Sequence, residues 1–258
     1  MKPGLKLIFL LFLYLCRLGS ALAGDSPDPD IKVVLFPVGQ AVLSAGIEGL
    51  VQEVKLREGE SFAKQALLAH LDERPLQLAE SIARSGLLDS QAKLRFSGQE
   101  LARLSELHQR KLTGDRELEE ARLQKETAEA KAKIMEAELN LARYRLEQCR
   151  VLAPFAGRLV KIDAHSHEYV RPGQPLLEII EDRKLLAVMH LDSKQLARIH
   201  PQMSVKIRID ETGTEHSGVP YSQGAAVDPG SRSFEFKILI DNAEQKLRAG
   251  MSGTVTGW

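Results

Sequence analysis

From Leu118 onward, apolar residues return every seven positions in two interleaved series. One series is Leu118, Lys125, Ala132, Leu139 and Leu146; the other is Ala121, Ala128, Met135, Ala142 and Cys149. Nine of these ten are apolar, which predicts a helix packed along one face against another helix. The surrounding stretch, Glu73–Arg150, has one proline, Pro75, at its start, where a helix's first turn tolerates it. The rest is mostly Ala, Leu, Glu, Arg, Lys and Gln, all strong helix formers. Its first part is less regular: Leu87, Leu94 and Leu101 are seven apart, with Leu104 and Leu107 beside them, and Gly86 and Gly98 weaken the helix. Thr113-Gly114-Asp115 breaks it, and Asp115 is expected to cap the next helix. The arms Pro75–Leu112 and Asp115–Cys149, of 38 and 35 residues, are predicted to fold back as an antiparallel pair roughly 50 Å long. One extended dimeric coil is the alternative; the break and the matched arms favour the hairpin.

On either side of this stretch the period shortens to that of strands. Gly49-Leu50-Val51-Gln52-Glu53-Val54, Glu58–Phe62 and Leu67–Asp72 are echoed by Gly157–Ile162 and Tyr169–Ile180. An offset of 108 lays Gly49 on Gly157, Val51 on Leu159, Val54 on Ile162, Phe62 on Val170, Leu68 on Leu176 and Leu71 on Ile179. One small β-domain is therefore expected, split in two by the helical insert. Gly49, Gly59, Pro154, Gly157 and Gly173 are assigned structural roles in its two halves. Asp25–Asp30 reads as a linker and Ile31–Phe36 as a strand. After Ile180, strands are expected at Leu185–Leu191, Val205–Ile209, Phe234–Ile240 and Gly253–Thr256. A short helix is expected over Asp192–His200 and a polar turn over Glu211–Gly218. These suit a small antiparallel barrel. The fold class is α+β, mostly β with a long helical hairpin. A flexible joint is expected near Ser44 and Asp182, where the chain passes between the two β-regions.

Residues 1–23 differ in kind. Lys2 and Lys6 precede an apolar run, Leu7–Leu15, and Ala21-Leu22-Ala23 suits a cleavage site, so a secretory signal peptide is expected. An uncleaved anchor is the alternative. Loss of Lys2, Lys6 and Arg17 would take the formal net charge from zero to −3 and leave Cys149 as the one cysteine, which excludes an internal disulfide. Neutral overall charge gives no case for nucleic acid. An aromatic fraction of 5% argues against one large aromatic core.

The split half-motifs resemble those of biotinyl/lipoyl domains, and their interruption by a hairpin resembles the HlyD-like membrane fusion proteins. Val151-Leu152-Ala153-Pro154-Phe155-Ala156-Gly157 is similar to the start of that family's second lipoyl half. Ala226-Val227-Asp228-Pro229-Gly230-Ser231-Arg232-Ser233, then Asp241-Asn242-Ala243 through Leu247-Arg248-Ala249-Gly250-Met251, resemble its barrel signature, with Asp228, Pro229, Arg232, Gly250 and Met251 as its marks. The resemblance implies residues 42–72 with 151–181 as a lipoyl-like domain, 73–150 as a coiled-coil hairpin and 182–258 as a barrel, after a signal peptide at 1–23 and a linker with an N-terminal strand at 24–41. It also implies a periplasmic adaptor, not an enzyme. Such an adaptor joins an inner-membrane pump, of resistance-nodulation-division or ATP-driven class, to an outer-membrane duct and works as a homo-oligomer. The membrane-proximal domain that many members carry is expected to be largely absent.

The family's tip motif is an Arg, a Leu four later and a Ser eleven later. Here it falls on Arg103, Leu107 and Gly114, with Thr113 adjacent as a substitute for the missing serine. Leu107 reads equally as hairpin core. A prosthetic-group carrier would need a modified lysine on the turn between the halves, and the hairpin stands there instead, so no cofactor is expected. His165 and His167 would share a face on a strand, but the local ligand count falls short of a metal site, and a turn explains Asp163–Glu168 more simply. A free-standing coiled-coil binding protein is the remaining reading.

Overall fold

The computed structural model describes residues 31–258. The signal-peptide and linker expectations fall outside them. The described residues divide into two units: 31–36 with Lys184–Trp258, and Pro37–Arg183.

The strands are β1 (Lys32–Ser44), β2 (Gly49–Val54), β3 (Ser61–Phe62), β4 (Leu67–Leu71), β5 (Arg150–Leu152), β6 (Gly157–Ile162), β7 (Tyr169–Val170) and β8 (Pro175–Asp192). They continue with β9 (Val205–Ile209), β10 (Glu215–Gln223), β11 (Ser233–Asp241) and β12 (Ser252–Gly257). Between β4 and β5 run α1 (Arg74–Gln109) and α2 (Asp115–Glu147).

In the Pro37–Arg183 unit the sequence repeat reappears as paired geometry. Ser61 and Phe62 of β3 pair with Arg158 and Gly157 of β6, while Tyr169 and Val170 of β7 pair with Leu50 and Gly49 of β2. Each half thus lends its short strand to the other. The β2–β4 register (Val51↔Leu71, Val54↔Ala69) and the β6–β8 register (Leu159↔Ile179, Ile162↔Leu177) match at the offset of 108, including a bulge at the same place. Left-handed residues also recur in matched pairs: Gly59 (φ 86°) with His167 (φ 70°), and Gln65 (φ 65°) with Gly173 (φ 83°). A glycine relieves the turn in one half, and a non-glycine bears it in the other. The enclosed side chains Val51, Leu68, Leu71, Leu159, Val170, Leu176 and Ile179 form one core shared by both halves.

The other unit alternates inward apolar and outward polar residues on β9 and β11, as a half-solvated antiparallel sheet requires. β11 pairs with β8 and β10, β10 with β9, and β9 with β12, which takes Lys32–Val34 of β1 on its other side. Phe234, Phe236, Ile238, Ile240, Met189 and Leu191 fill the core. Ile31–Phe36, expected as a separate strand, is the start of the longer β1.

Three expectations are corrected. The polar turn at Glu211–Gly218 is shorter, because β10 starts at Glu215 and Gly218 lies buried within it. The helix at Asp192–His200 is a 3-10 turn, Ser193–Arg198, whose start Asp192 caps by accepting Lys194 N–H at 2.8 Å. β8 is one strand through Asp182, whose side chain is enclosed, and Ser44 ends β1 well inside the Pro37–Arg183 unit. The chain leaves one unit for the other at Arg183/Lys184, beside Asp182, and at Phe36/Pro37, so Ser44 is not the second crossing.

Candidate functional site

The two helices and their tip are the most distinctive surface of the Pro37–Arg183 unit. They leave it at a clamped root. Leu67, Ala69 and His70 of β4 pair with Leu152, Val151 and Arg150 of β5, and Leu71 N–H donates to the Cys149 carbonyl at 2.9 Å. Asp72 accepts from Arg74 N–H at 3.1 Å and from its guanidinium at 2.6 Å. These bonds hold the Asp72 carboxyl down to about 2. Cys149 is enclosed at the root; burial, with help from Glu73 and Asp72, pushes its thiol up to about 11. It packs as a small apolar residue there.

Along α2 the buried residues are Leu118, Ala121, Ala132 and Leu139, with Lys125, Ala128, Met135, Ala142 and Leu146 half-buried between them. The inward positions of α1 step by four and three from Leu76 through Glu80, Ala83, Leu87, Ser90, Leu94, Ser97, Leu101 and Leu104 to His108. Ser90 and Ser97 are the two buried residues of α1. They are small and polar, so an apolar pattern passes over them; counting back in heptads from Leu104 finds both. Ser97 Oγ bonds the Leu94 carbonyl at 3.0 Å. Glu80 spans the pair, accepting Arg84 at 2.6 Å on its own helix and Arg143 at 3.3 Å on the other.

The tip closes without a glycine at the α1 terminus. Leu112 N–H donates to Leu107 O at 2.9 Å, and Lys111 N–H to His108 O at 2.8 Å, with Lys111 left-handed at φ 59°. This is the Schellman arrangement, which glycine ordinarily serves. Gly114 (φ −84°, ψ 162°) stands at the cap position of α2, and Asp115 is the first helical residue, correcting the expectation that Asp115 caps. Asp115 and Glu117 still place negative charge against the positive end of α2. Thr113 bonds Glu117 through its hydroxyl. His108 lies between the arms, its Nδ1 3.3 Å from Thr113 O and its Nε2 3.4 Å from an Asp115 oxygen.

The structure therefore gathers Leu107, Thr113 and Gly114 at the tip. Leu107 is half-buried, Gly114 exposed. Arg103 is exposed one turn earlier and pairs with Glu100 on its own helix, at 2.6 and 3.0 Å.

The structural marks have local duties. Gly157 faces the Ile180 carbonyl so closely that a Cβ would collide with it. Pro154 follows enclosed Ala153 in the bend after β5. Asp228 Oδ1 accepts Ser231 N–H at 2.7 Å and Arg232 N–H reaches Asp228 O at 2.8 Å, which folds the Pro229 loop. Arg232 is left-handed there, at φ 56°. Gly250 (φ 92°) and Met251 bond Leu35 through the main chain, at 2.7 and 2.8 Å. Asn242, buried, bonds Leu247 in both directions, at 3.0 and 3.1 Å. Among the described residues no group of three or more His, Cys, Asp or Glu could hold a metal. His165 and His167 lie in a turn rather than on a strand. No described helix is long and apolar enough to cross a membrane.

No family model matches the sequence. The multidrug resistance protein MdtA of Erwinia amylovora is 25% identical over 213 residues, covering 80% of this chain and 53% of that protein. The MdtA of Pectobacterium atrosepticum is 28% identical over 214 residues, covering 80% and 52%. The chain thus spans about half the length of these curated relatives. Among solved structures, the membrane fusion protein Spr0693 of Streptococcus pneumoniae R6 aligns with a TM-score of 0.70 at 13% identity, covering 88% of this chain and 97% of that one. MacA of Actinobacillus actinomycetemcomitans aligns with a TM-score of 0.59 at 17% identity, covering 88% and 78%. At these identities the structural likeness concerns the fold. The chain is thus similar in sequence, over about four fifths of its length, to the multidrug resistance protein MdtA, and its split β-unit with a rooted helical pair shares the fold of a membrane fusion protein.

Proposed function

We propose that this protein is a periplasmic adaptor of an efflux system, joining an inner-membrane pump to an outer-membrane duct. The observation that carries this reading is the clamped root. Both helices leave one β-unit side by side, tied by the β4–β5 pairing, so a push on the tip is borne by a sheet and not by a loop. An adaptor needs such reach with little bulk. Helix α1, with 36 residues, is about 54 Å long. The relatives' description as multidrug resistance proteins supports efflux as the process. The helical pair is read as a coiled-coil spacer, the β-unit as a lipoyl-like domain without a carrier lysine, and the second unit as a barrel. No step of catalysis is assigned to it.

The tip is proposed to meet the duct through Arg103, Leu107, Thr113 and Gly114. The pump is proposed to be of the resistance-nodulation-division class, as a transporter gene beside this one would reveal; an ATP-driven exporter is the alternative. Deleting the gene should sensitise the host to drugs that the wild-type gene then restores. Arg103→Asp with Leu107→Ala should fail to restore resistance while the purified variant keeps the wild-type melting temperature. Full resistance from that variant would end the tip assignment, and an insensitive deletion strain would end the adaptor reading.

A further inference from the structure

The hairpin root carries a pocket of about 280 Å³. Strand register assembles it. His70 of β4 pairs with Arg150 of β5, and both line the pocket. On its other side His70 stands opposite β2 at Glu53, where the bulge puts Gln52 rather than Glu53 into the lining. Lys55 joins from just past the end of β2, and Asp72, Glu73 and Arg74 from the start of α1. Residues facing each other on paired strands stand side by side, so donors from three strands meet here.

The acids at this place are already bonded. Asp72 accepts the Arg74 guanidinium at 2.6 Å, and Glu73 accepts the Gln77 amide at 3.2 Å. The bases are not. The side chains of Lys55 and Arg150 make no hydrogen bond or ion pair with any described residue. The His70 Nδ1 is enclosed and has no hydrogen-bond partner among the described residues, which is unfavourable for a polar nitrogen.

The repeat provides an internal comparison. The matched registers of β2–β4 and β6–β8 give both halves the same backbone at these positions. Yet 108 residues away, Lys55 is matched by Asp163, His70 by Glu178 and Arg150 by Val42. Those acids have partners: Asp163 bonds Lys161 and Glu178 bonds Gln40. The fold therefore does not require basic side chains here, and only the half at the hairpin root leaves its charges unmatched.

We infer that this pocket binds a phosphate group. Arg150 supplies a planar fork for two of its oxygens and Lys55 a charge for a third. The His70 ring turns about its Cβ–Cγ bond so that Nδ1–H donates to the ligand. Three adjacent strands span about 10 Å, so the ligand has to offer oxygens in several directions, as tetrahedral phosphate does and a planar carboxylate does not. The exposed Gln52 amide is left for whatever the phosphate carries. A bound phosphate ties β2, β4 and β5 together where the helices begin. The site goes beyond the adaptor reading and does not rest on it.

The test is calorimetric titration of the full chain at fixed ionic strength, with inorganic phosphate and glycerol phosphate as probes. Saturable binding is expected, with a melting temperature that rises with ligand concentration. Arg150→Gln with Lys55→Gln, both at exposed positions, should weaken binding by about tenfold or more, because charged hydrogen bonds are lost. The ligand-free melting temperature of that variant should match the wild type. Lys64→Gln, exposed elsewhere in the unit, should leave the affinity unchanged. In NMR spectra the His70 ring nitrogens should shift on adding phosphate, and those of His108 at the tip should not. Tighter binding of glycerol phosphate makes the group part of a larger molecule, and equal affinities make it the free ion; both support the site. No saturable heat with either probe, an unchanged affinity in the double variant, or a preference for citrate over both probes would overturn the inference.

Discussion

Arg158 donates from Nε to Asp182 at 2.7 Å, and its Nη1 reaches the Gly59 carbonyl at 2.6 Å. The Asp182 side chain is fully enclosed. The pair breaks the repeat, because the residues 108 positions earlier are Leu50 and Arg74. It ties β6, the end of the unit's share of β8 and the turn before β3 at one point. Removing the carboxylate strands a mostly buried guanidinium, so Asp182→Ala should cost about 3–5 kcal/mol in urea unfolding. A change under about 1 kcal/mol would show that the pair contributes little beyond its desolvation.

Gly49 and Gly157 are repeat partners with different surroundings. A Cβ on Gly157 meets the fixed Ile180 carbonyl; a Cβ on Gly49 meets the terminal Leu71 methyl at 3.2 Å, which can rotate away. Gly157→Ala should destabilise by about 3 kcal/mol or more and Gly49→Ala by about 1 kcal/mol. Equal losses in thermal unfolding would contradict this asymmetry.

Lys111 holds a left-handed backbone at the end of α1. Lys111→Gly should stabilise the chain by about 0.5–1 kcal/mol, read as a rise in the denaturant midpoint, because glycine enters that region without a Cβ clash.

Asp72 sets a pH dependence at the root. Its folded value of about 2 lies below the ordinary 3.8, chiefly through the side-chain bond from Arg74. A lowered carboxyl stabilises the fold above its unfolded value, so this contribution is complete above about pH 5 and fades as pH falls toward 2. Asp72→Asn should remove that part of the acid sensitivity. The Asp72 carboxyl carbon should titrate by NMR near pH 2; titration near 4 would refute the assignment.

Cys149 should resist alkylation at pH 8 in the native protein and react on unfolding, with the labelled peptide identified by mass spectrometry. Both its enclosure and its raised thiol value work against the thiolate that attacks. Rapid native labelling would mean that the root opens.

How much of this was legible in the sequence follows from what each position had to do. The inward series of α2 is readable because Leu118, Ala121, Ala132 and Leu139 are apolar and evenly spaced. The α1 series is broken at its two buried positions, because Ser90 and Ser97 sit where close approach favours small side chains over apolar ones. The repeat is readable in Gly49 and Gly157, but the turns matched to Gly59 and Gly173 carry His167 and Gln65, whose left-handed backbone has no residue signature. Strand β10 is masked by Gly218, Pro220 and a run of polar residues, and becomes a strand through its pairing with β9 and β11. Arg158 and Asp182 are two ordinary charges until the fold encloses them.

The strand clamp at the hairpin root makes reach an independent variable. Because β4 and β5 meet before either helix begins, seven residues added to each arm would move the tip outward by about 10 Å and turn it through a nearly whole number of helical turns. The sheet would register no change. On the adaptor reading proposed above, a lineage carrying this fold would fit envelopes of different depth by whole-heptad insertion, with the tip still aimed as before and the core beneath it untouched.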